Sequence, residues 1–248
     1  MSEAMEELMQ RVVACRNCPR LVEHREHSGE FKVKRYLGWD YWAKPVPGFG
    51  SSDAEVCIIG LAPAAHGANR TGRMFTGDPS ADFLARALHE GGFANQATSQ
   101  HRGDGFEMIN AYITSAVRCA PPDNKPTVKE QARCRLYLIE ELGLMANVRA
   151  VLALGKLGFD SYLRVTKEQG LVRPKGVVFG HRVRYELGSG FPTLFGSYHP
   201  SPHNTYTGRL THDGLVAVFR DIQEFLKKAP RNKSKVNPYK PEAWKSCL

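Results

Sequence analysis

Four cysteines and three loops rich in glycine or proline hold the residue types that could do chemistry in this chain. Cys15 and Cys18 form a CxxC pair; Cys119 and Cys134 follow about 100 residues downstream, with 14 residues between them. Two pairs of thiolates can bind a tetrahedral zinc ion or a [4Fe–4S] cluster, and free thiols or a redox pair are the other readings. A thioredoxin-type CxxC opens a helix straight after a strand, whereas this one follows a helical segment, so a metal clipping the N-terminus to the Cys119 loop is the favoured expectation. Cys57 lies inside an apolar run and reads as core. The first loop begins Gly60-Leu61-Ala62-Pro63 and passes His66, Asn69, Arg70, Arg73 and Phe75 to reach Asp78. It leaves a strand and enters a helix at Pro79. Its glycines and the positive helix end could therefore bring backbone amides to a ligand at the carboxyl edge of a sheet. Asp78 suits two tasks, capping that helix and positioning a water. The second loop, Arg118–Pro126, holds Asn124 in a rigid turn. The third, His199-Pro200-Ser201-Pro202-His203-Asn204-Thr205-Tyr206-Thr207-Gly208-Arg209, places His199 at a strand end.

The elements that must position these loops follow from periodicity. A short helix is expected over 2–14, then a polar, basic segment to about Lys34, then an ordered aromatic loop over 36–50. Strands are expected at 55–60, 107–117, 149–155 and 193–198, with a less regular strand pair over 176–187. Helices are expected at 79–91, from 128 to about 142 behind a Thr127…Glu130 capping box, at 156–167, and at 211–228. Strand, loop and helix repeat four times, which predicts an α/β chain: a four-stranded parallel sheet with helices on both faces. One domain over 1–228 is expected. Residues 229–248 carry five Lys or Arg against the single acid Glu242 and three prolines, and are expected to form a flexible basic tail.

The chain has 248 residues, 42% of them hydrophobic and 24% charged, which suits an ordinary globular protein with a good core. A net charge of +9 points to an anionic partner such as nucleic acid. No apolar run approaches the roughly 20 residues needed to span a bilayer. The acidic N-terminus has no signal-peptide core, so a cytoplasmic protein with reduced cysteines and no membrane partner is expected.

Taken together, Gly60-Leu61-Ala62-Pro63, His199-Pro200-Ser201-Pro202 and the four cysteines resemble the uracil-DNA glycosylase superfamily. The closest likeness is to its iron–sulfur family 5, the UDGb type, and Pro45–Gly50, Gly60–Asp78, Arg118–Pro126 and Tyr198–Arg209 all share in it. The likeness spans about residues 8–226. It implies a three-layer α/β/α sandwich, and a structural [4Fe–4S] cluster on Cys15, Cys18, Cys119 and Cys134. It implies a monofunctional glycosylase that flips a deaminated base out of DNA and hydrolyses its N-glycosidic bond, starting base excision repair.

The chain departs from better-known members at Ala62, where they carry a water-handling Asp. It departs again at Leu61, where the other iron–sulfur branch has Glu, and at Ser115, which stands for a pyrimidine-reading Asn. These departures fit family 5, and the resemblance to it implies hypoxanthine and xanthine beside uracil. His199, Asp78 and Asn124 are the catalytic candidates. Gly60, Leu61, Ala62, Pro63, Phe75 and Ser115 are expected in the base pocket. Asn69, Arg70, Arg73, Ser201, Asn204, Thr207 and Arg209 are expected on DNA. A monomer is expected, with the tail a candidate contact for a clamp or repair protein. The competing readings are a non-catalytic binder of damaged DNA on the same fold, and a nucleotide-binding hydrolase, though no GxxxxGK[ST] loop is present.

Overall fold

The computed structural model describes residues 2–188, 190–228 and 237–239. Two N-terminal helices, α1 (Glu3–Ala14) and α2 (Pro19–Glu30), meet at the CxxC pair. The sheet strands are β1 (Phe49–Gly50), β2 (Val56–Gly60), β3 (Ala111–Ser115), β4 (Ala150–Leu154), β5 (Val183–Tyr185) and β6 (Thr193–Ser197). The helices beyond α2 are α3 (Ala68–Thr71), α4 (Pro79–Glu90), α5 (Val128–Leu144), α6 (Lys156–Glu168), α7 (Pro202–Tyr206) and α8 (His212–Lys228).

The sheet has six strands in the order β1-β3-β2-β4-β6-β5. The inner four run parallel, as expected, but β1 and β5 close the edges antiparallel, so the sheet is mixed. The expected strand pair over 176–187 is reduced to β5. The strand expected over 107–117 is confined to 111–115.

Alternation along each inner strand sends side chains to two cores. Val56, Ile58, Leu152 and Leu154 meet α4 and α8 on one face. Cys57, Ile59, Val151 and Ala153 meet α1, α5 and α6 on the other. Every residue of the inner strands is buried, which is why they read as continuous apolar runs. Helix α2 replaces the expected irregular basic segment. Its buried stripe is Leu21, Val22, Arg25 and Ser28, so half of the face that packs inward is polar and the apolar period is hidden.

No helix among the described residues is long and apolar enough to cross a membrane. Most of the expected tail lies outside the described residues. The exception is Asn237–Tyr239. The Asn237 amide donates to the Gly143 carbonyl at the end of α5 (2.7 Å), and Tyr239 is buried with its hydroxyl 2.7 Å from that of Tyr162.

Candidate active site

The carboxyl ends of the four parallel strands lie on one edge of the sheet, and the three special loops leave from there. Gly60 pairs with Ser115, and the ladder continues one step beyond: Ala116 N donates to Gly60 O (3.0 Å) and Val117 N to Leu61 O (2.9 Å). The first and second loops are thus locked side by side. Gly60 is required because the Phe75 ring lies over it. A Cβ there would sit 2.9 Å from the ring edge. Phe75 itself holds a left-handed backbone (φ 48°), a strained state for a large residue. Its carbonyl accepts from Ser99 Oγ (3.2 Å), and the next residue, Thr76, meets Ser99 Oγ at 2.8 Å. The Phe75 ring reaches the third loop, with its centroid 5.7 Å from that of His199. Gly60, Phe75 and His199 therefore form one surface contributed by two loops.

His199 is held from behind. Asn204 Nδ2 donates to its carbonyl (2.8 Å), and Gly155, the residue after β4, leaves the room its Cβ needs. Burial pushes its imidazole down to about 4, so the ring is neutral at physiological pH. Asp78 sits at the N-cap of α4 and accepts the Ala81 amide through Oδ1 (2.9 Å). Its Oδ2 rests against the backbone of Gly67, where a Cβ would approach to 1.8 Å. Burial raises its carboxyl above the usual range, against the opposing amides of Ala81 and Ser80. Asn124 lies on an exposed turn with φ 54°, next to Asp123 at 52°. Pro63 is buried, whereas Leu61 and Ala62 are half-buried. Ser115 turns its hydroxyl inward to the Val117 carbonyl (2.9 Å), so it does not offer that donor to a base.

Three residues expected on DNA are instead internal. Asn69 is fully buried and donates to the carbonyls of Arg25 (3.1 Å) and Ala65. Arg70 sits in the corner between the perpendicular rings of Tyr36 and Trp39, at 3.9 and 4.0 Å, and donates to the Gly77 carbonyl (2.6 Å). Arg73 forms a two-oxygen pair with Asp104 at 2.8 Å and also bonds Ser99 and Thr76. These guanidiniums staple the first loop from within. In the third loop Asn204 is half-buried, with its amide turned to the His199 carbonyl. Ser201 is half-buried at the N-cap position of α7, and Thr207 and Arg209 are exposed. Arg209 packs over Tyr198 (4.4 Å). Sequence reasoning passed over Tyr206, which stands 81% exposed at the end of α7. Its one sequence signal was an aromatic residue amid Pro, Asn and Gly.

All four expected cysteine ligands line one pocket, together with Pro45, Arg118 and Tyr137. Cys18, Cys119 and Cys134 belong to a small cluster with Leu21 and Val117, and Ala62 of the first loop packs against it. Polar groups stand against the four thiols. Arg25, itself 1% exposed, donates to Cys119 Sγ at 3.0 Å. Arg133 meets Cys18, Tyr137 meets Cys15, and the Arg118 amide meets Cys134. Burial pushes the thiols of Cys119 and Cys134 up to about 11 and about 12, so only a bound cation or cluster would keep them as thiolates. Among the described residues no three His, Cys, Asp or Glu groups converge to hold a single ion. Four cysteines lining one pocket form a donor set that suits either a tetrahedral ion or a [4Fe–4S] cluster. No sequence signal marked Arg25, Arg133 or Tyr137.

The profile of the Uracil DNA glycosylase superfamily matches residues 47–223, which hold all three loops. Type-5 uracil-DNA glycosylase from Mycobacterium bovis is 45% identical over 219 residues, 88% of this chain and 80% of the relative. The type-5 enzyme from Thermus thermophilus is 44% identical over 218 residues, 88% of this chain and 96% of its own length. A type-4 uracil-DNA glycosylase from Pyrobaculum aerophilum matches less of the chain, 35% identical over 126 residues, or 50% of this chain and 56% of the relative. With the family model matched over residues 47–223 and type-5 relatives 44–45% identical over 88% of this chain, the chain belongs to the uracil-DNA glycosylase superfamily, in its type-5 family.

Proposed function

We propose that this protein hydrolyses the N-glycosidic bond of uracil in DNA, and of hypoxanthine and xanthine, after flipping the base out of the duplex. The observation that carries this reading is the surface of Gly60, Phe75 and His199 at the carboxyl edge of the sheet. A flat apolar ring beside a neutral imidazole suits any planar base with an exocyclic oxygen. Flipping costs a few kcal/mol and least for a mispaired base, so deaminated bases reach the pocket first. The base departs with negative charge on its oxygen while the sugar gains positive charge. Neutral His199 donates a hydrogen bond to that oxygen. Asp78 offsets the sugar charge and orients the water, and Asn124 is the second candidate for holding that water. Ala62 and Ser115 give the pocket wall no carboxylate or amide to demand one base pattern, which supports the wider substrate range.

The Cys15, Cys18, Cys119 and Cys134 set is assigned to a [4Fe–4S] cluster. When bound it supplies a covalent cross-link between the α1–α2 junction, the loop after β3 and α5; no chemical step passes through it.

Labelled duplexes carrying uracil, hypoxanthine or xanthine test the reading. Release of uracil with abasic product is expected, with the two purines also released. Inactivity on all three, with binding to the damaged duplexes retained, would instead mean a damage-binding protein. The purified protein should be brown with about four irons per chain; a colourless protein with one zinc would overturn the cluster assignment.

A further inference from the structure

The segment between α2 and β1 builds a shelf of aromatic rings alongside the first loop. Its inner side is fixed to that loop. Tyr36 and Trp39 clasp Arg70. Trp42 N donates to Arg70 O (2.9 Å), and Ala43 N to Asn69 O (3.0 Å). The Trp42 ring occupies the space a Cβ on Gly72 would need, 2.8 Å away. The Tyr41 hydroxyl meets His66 Nδ1 at 3.1 Å. The shelf is therefore part of the same rigid body as Phe75 and Asp78.

Cations rest on its outer side. Lys32 Nζ lies 6.0 Å from the Tyr41 ring centre and Arg35 Cζ 5.0 Å from that of Tyr36. Lys44 and Arg102 both lie over Trp42, at 5.6 and 4.6 Å. Lys34, in the turn at Lys34–Tyr36, is exposed beside them. Asp40 is the one carboxylate in residues 31–50. Among the described residues none of these five cations makes an ion pair. By contrast, most of the exposed arginines elsewhere are neutralised, as in Arg182–Asp221 and Arg220–Glu90.

We propose that this shelf is a binding surface for the phosphodiester backbone of duplex DNA beside the target nucleotide, a deepening of the glycosylase reading on which it rests. Unneutralised cations attract phosphates that carry one charge per roughly 1.7 Å of duplex. Contact with a ring face limits the rotamers of each Lys and Arg before binding, so less entropy is lost when the outer N–H groups meet phosphate. The exposed side chains of Phe31 and Leu37, both 63% exposed, alternate with the cations and can lie against the apolar faces of the sugars. The two arginines that the sequence offered as phosphate ligands, Arg70 and Arg73, turn inward, and the shelf they brace supplies the outward charge in their place.

The test is the salt dependence of binding, read by fluorescence anisotropy with a labelled duplex containing an uncleavable abasic analogue. The K32Q/R35Q/R102Q variant is compared with K167Q/K175Q/K227Q, which removes equal charge from exposed positions outside the shelf. The slope of log K against log salt should fall by about 2 to 3 in the first variant, near 0.9 per phosphate contact, and stay at the parent value in the second. Equal slopes in the two variants would overturn the shelf. So would an equal fall in both, which would mean diffuse charge only. R35Q and R102Q alone, on separate segments, should each lower the slope by about 1, a reading that does not depend on the triple variant folding. Failure of the parent protein to bind the duplex at low salt would overturn the shelf as well, whereas a parent that binds with the shelf-dependent slope but releases no base from uracil, hypoxanthine or xanthine duplexes would refute the glycosylase reading and leave the shelf standing.

Discussion

Asp78 divides its two oxygens between two tasks, one on the Ala81 amide and the other against Gly67, and substitution can separate them. Asp78→Asn keeps a good N-cap, so its unfolding midpoint should stay near the parent while single-turnover cleavage falls about 100-fold or more. Asp78→Ala should lose the same activity and, in addition, about 1 kcal/mol of stability. Gly67→Ala should reproduce the rate loss with Asp78 intact, because its Cβ would displace the carboxylate. Equal stability of the Asn and Ala variants would mean that the cap contributes little.

His199 makes a separate pH prediction. An exposed imidazole would give an acid limb near about 6.5, but burial lowers this one to about 4. The neutral donor persists as pH falls, so His199 adds no acid limb above about 4, and an earlier bend that vanishes in Asp78→Asn belongs to Asp78, whose carboxyl burial raises. A bend near about 6.5 that survives Asp78→Asn would mean that His199 is solvated in the working enzyme. His199→Ala should lower cleavage far more than it lowers binding; equal losses would make its role structural.

At the scale of elements, the first loop is held by groups that lie beyond its own sequence. Asp104, in the loop between α4 and β3, clamps Arg73 and so fixes the segment that carries Phe75. Burial pushes this carboxyl up, but the Phe106 amide, Arg73 and the Gln100 and His101 amides together bring it down to about 2. The unfolded chain releases the same proton near about 3.9, so the clamp contributes fully above about pH 4 and is lost as pH falls towards 2. Asp104→Asn should cost roughly 2.5 kcal/mol at pH 7 and flatten the acid dependence between those limits, as measured by urea unfolding. On the opposite face of the sheet, Glu141 of α5 accepts from Tyr112 (2.7 Å), Thr114 (2.7 Å) and Arg118 (2.6 Å), joining β3 and the Cys119 loop to α5. Glu141→Gln should cost several kcal/mol by leaving the Arg118 charge buried and unpaired.

The inner strands, α4, α6 and α8 were legible because their apolar periods are clean, and α5 because the Thr127…Glu130 capping box marks its start. Helix α2 was not, because Arg25 occupies its inward stripe to serve a cysteine that lies about 94 positions away. The internal roles of Arg70 and Arg73 were equally hidden: a sequence shows a cation but not the rings or the Asp that enclose it. His199 could be found because a strand end and two prolines frame it.

Across the whole molecule, the first and last described segments pack on the same side layer. Helix α1 and Tyr239 both belong to the core formed with α5 and α6. Removing residues 237–248 strips the Tyr162 hydroxyl of its partner and opens a cavity. Tyr239→Ala should therefore cost about 3 kcal/mol, and Tyr239→Phe about 1 kcal/mol, as measured by chemical denaturation. No change in either would mean that the end of the chain contributes nothing to the fold.

The closing strands of the sheet bear on how such a protein behaves when many copies gather. β1 has two residues and β5 three, and Arg182, Arg184 and Glu186 flank or occupy the latter. Edges so short and so charged offer another chain little to pair with. A protein drawn to a polyanion is concentrated along it far above its level in free solution, the condition under which bare sheet edges join. Here crowding along the duplex would bring copies side by side without linking their sheets, leaving each one able to slide and to let go.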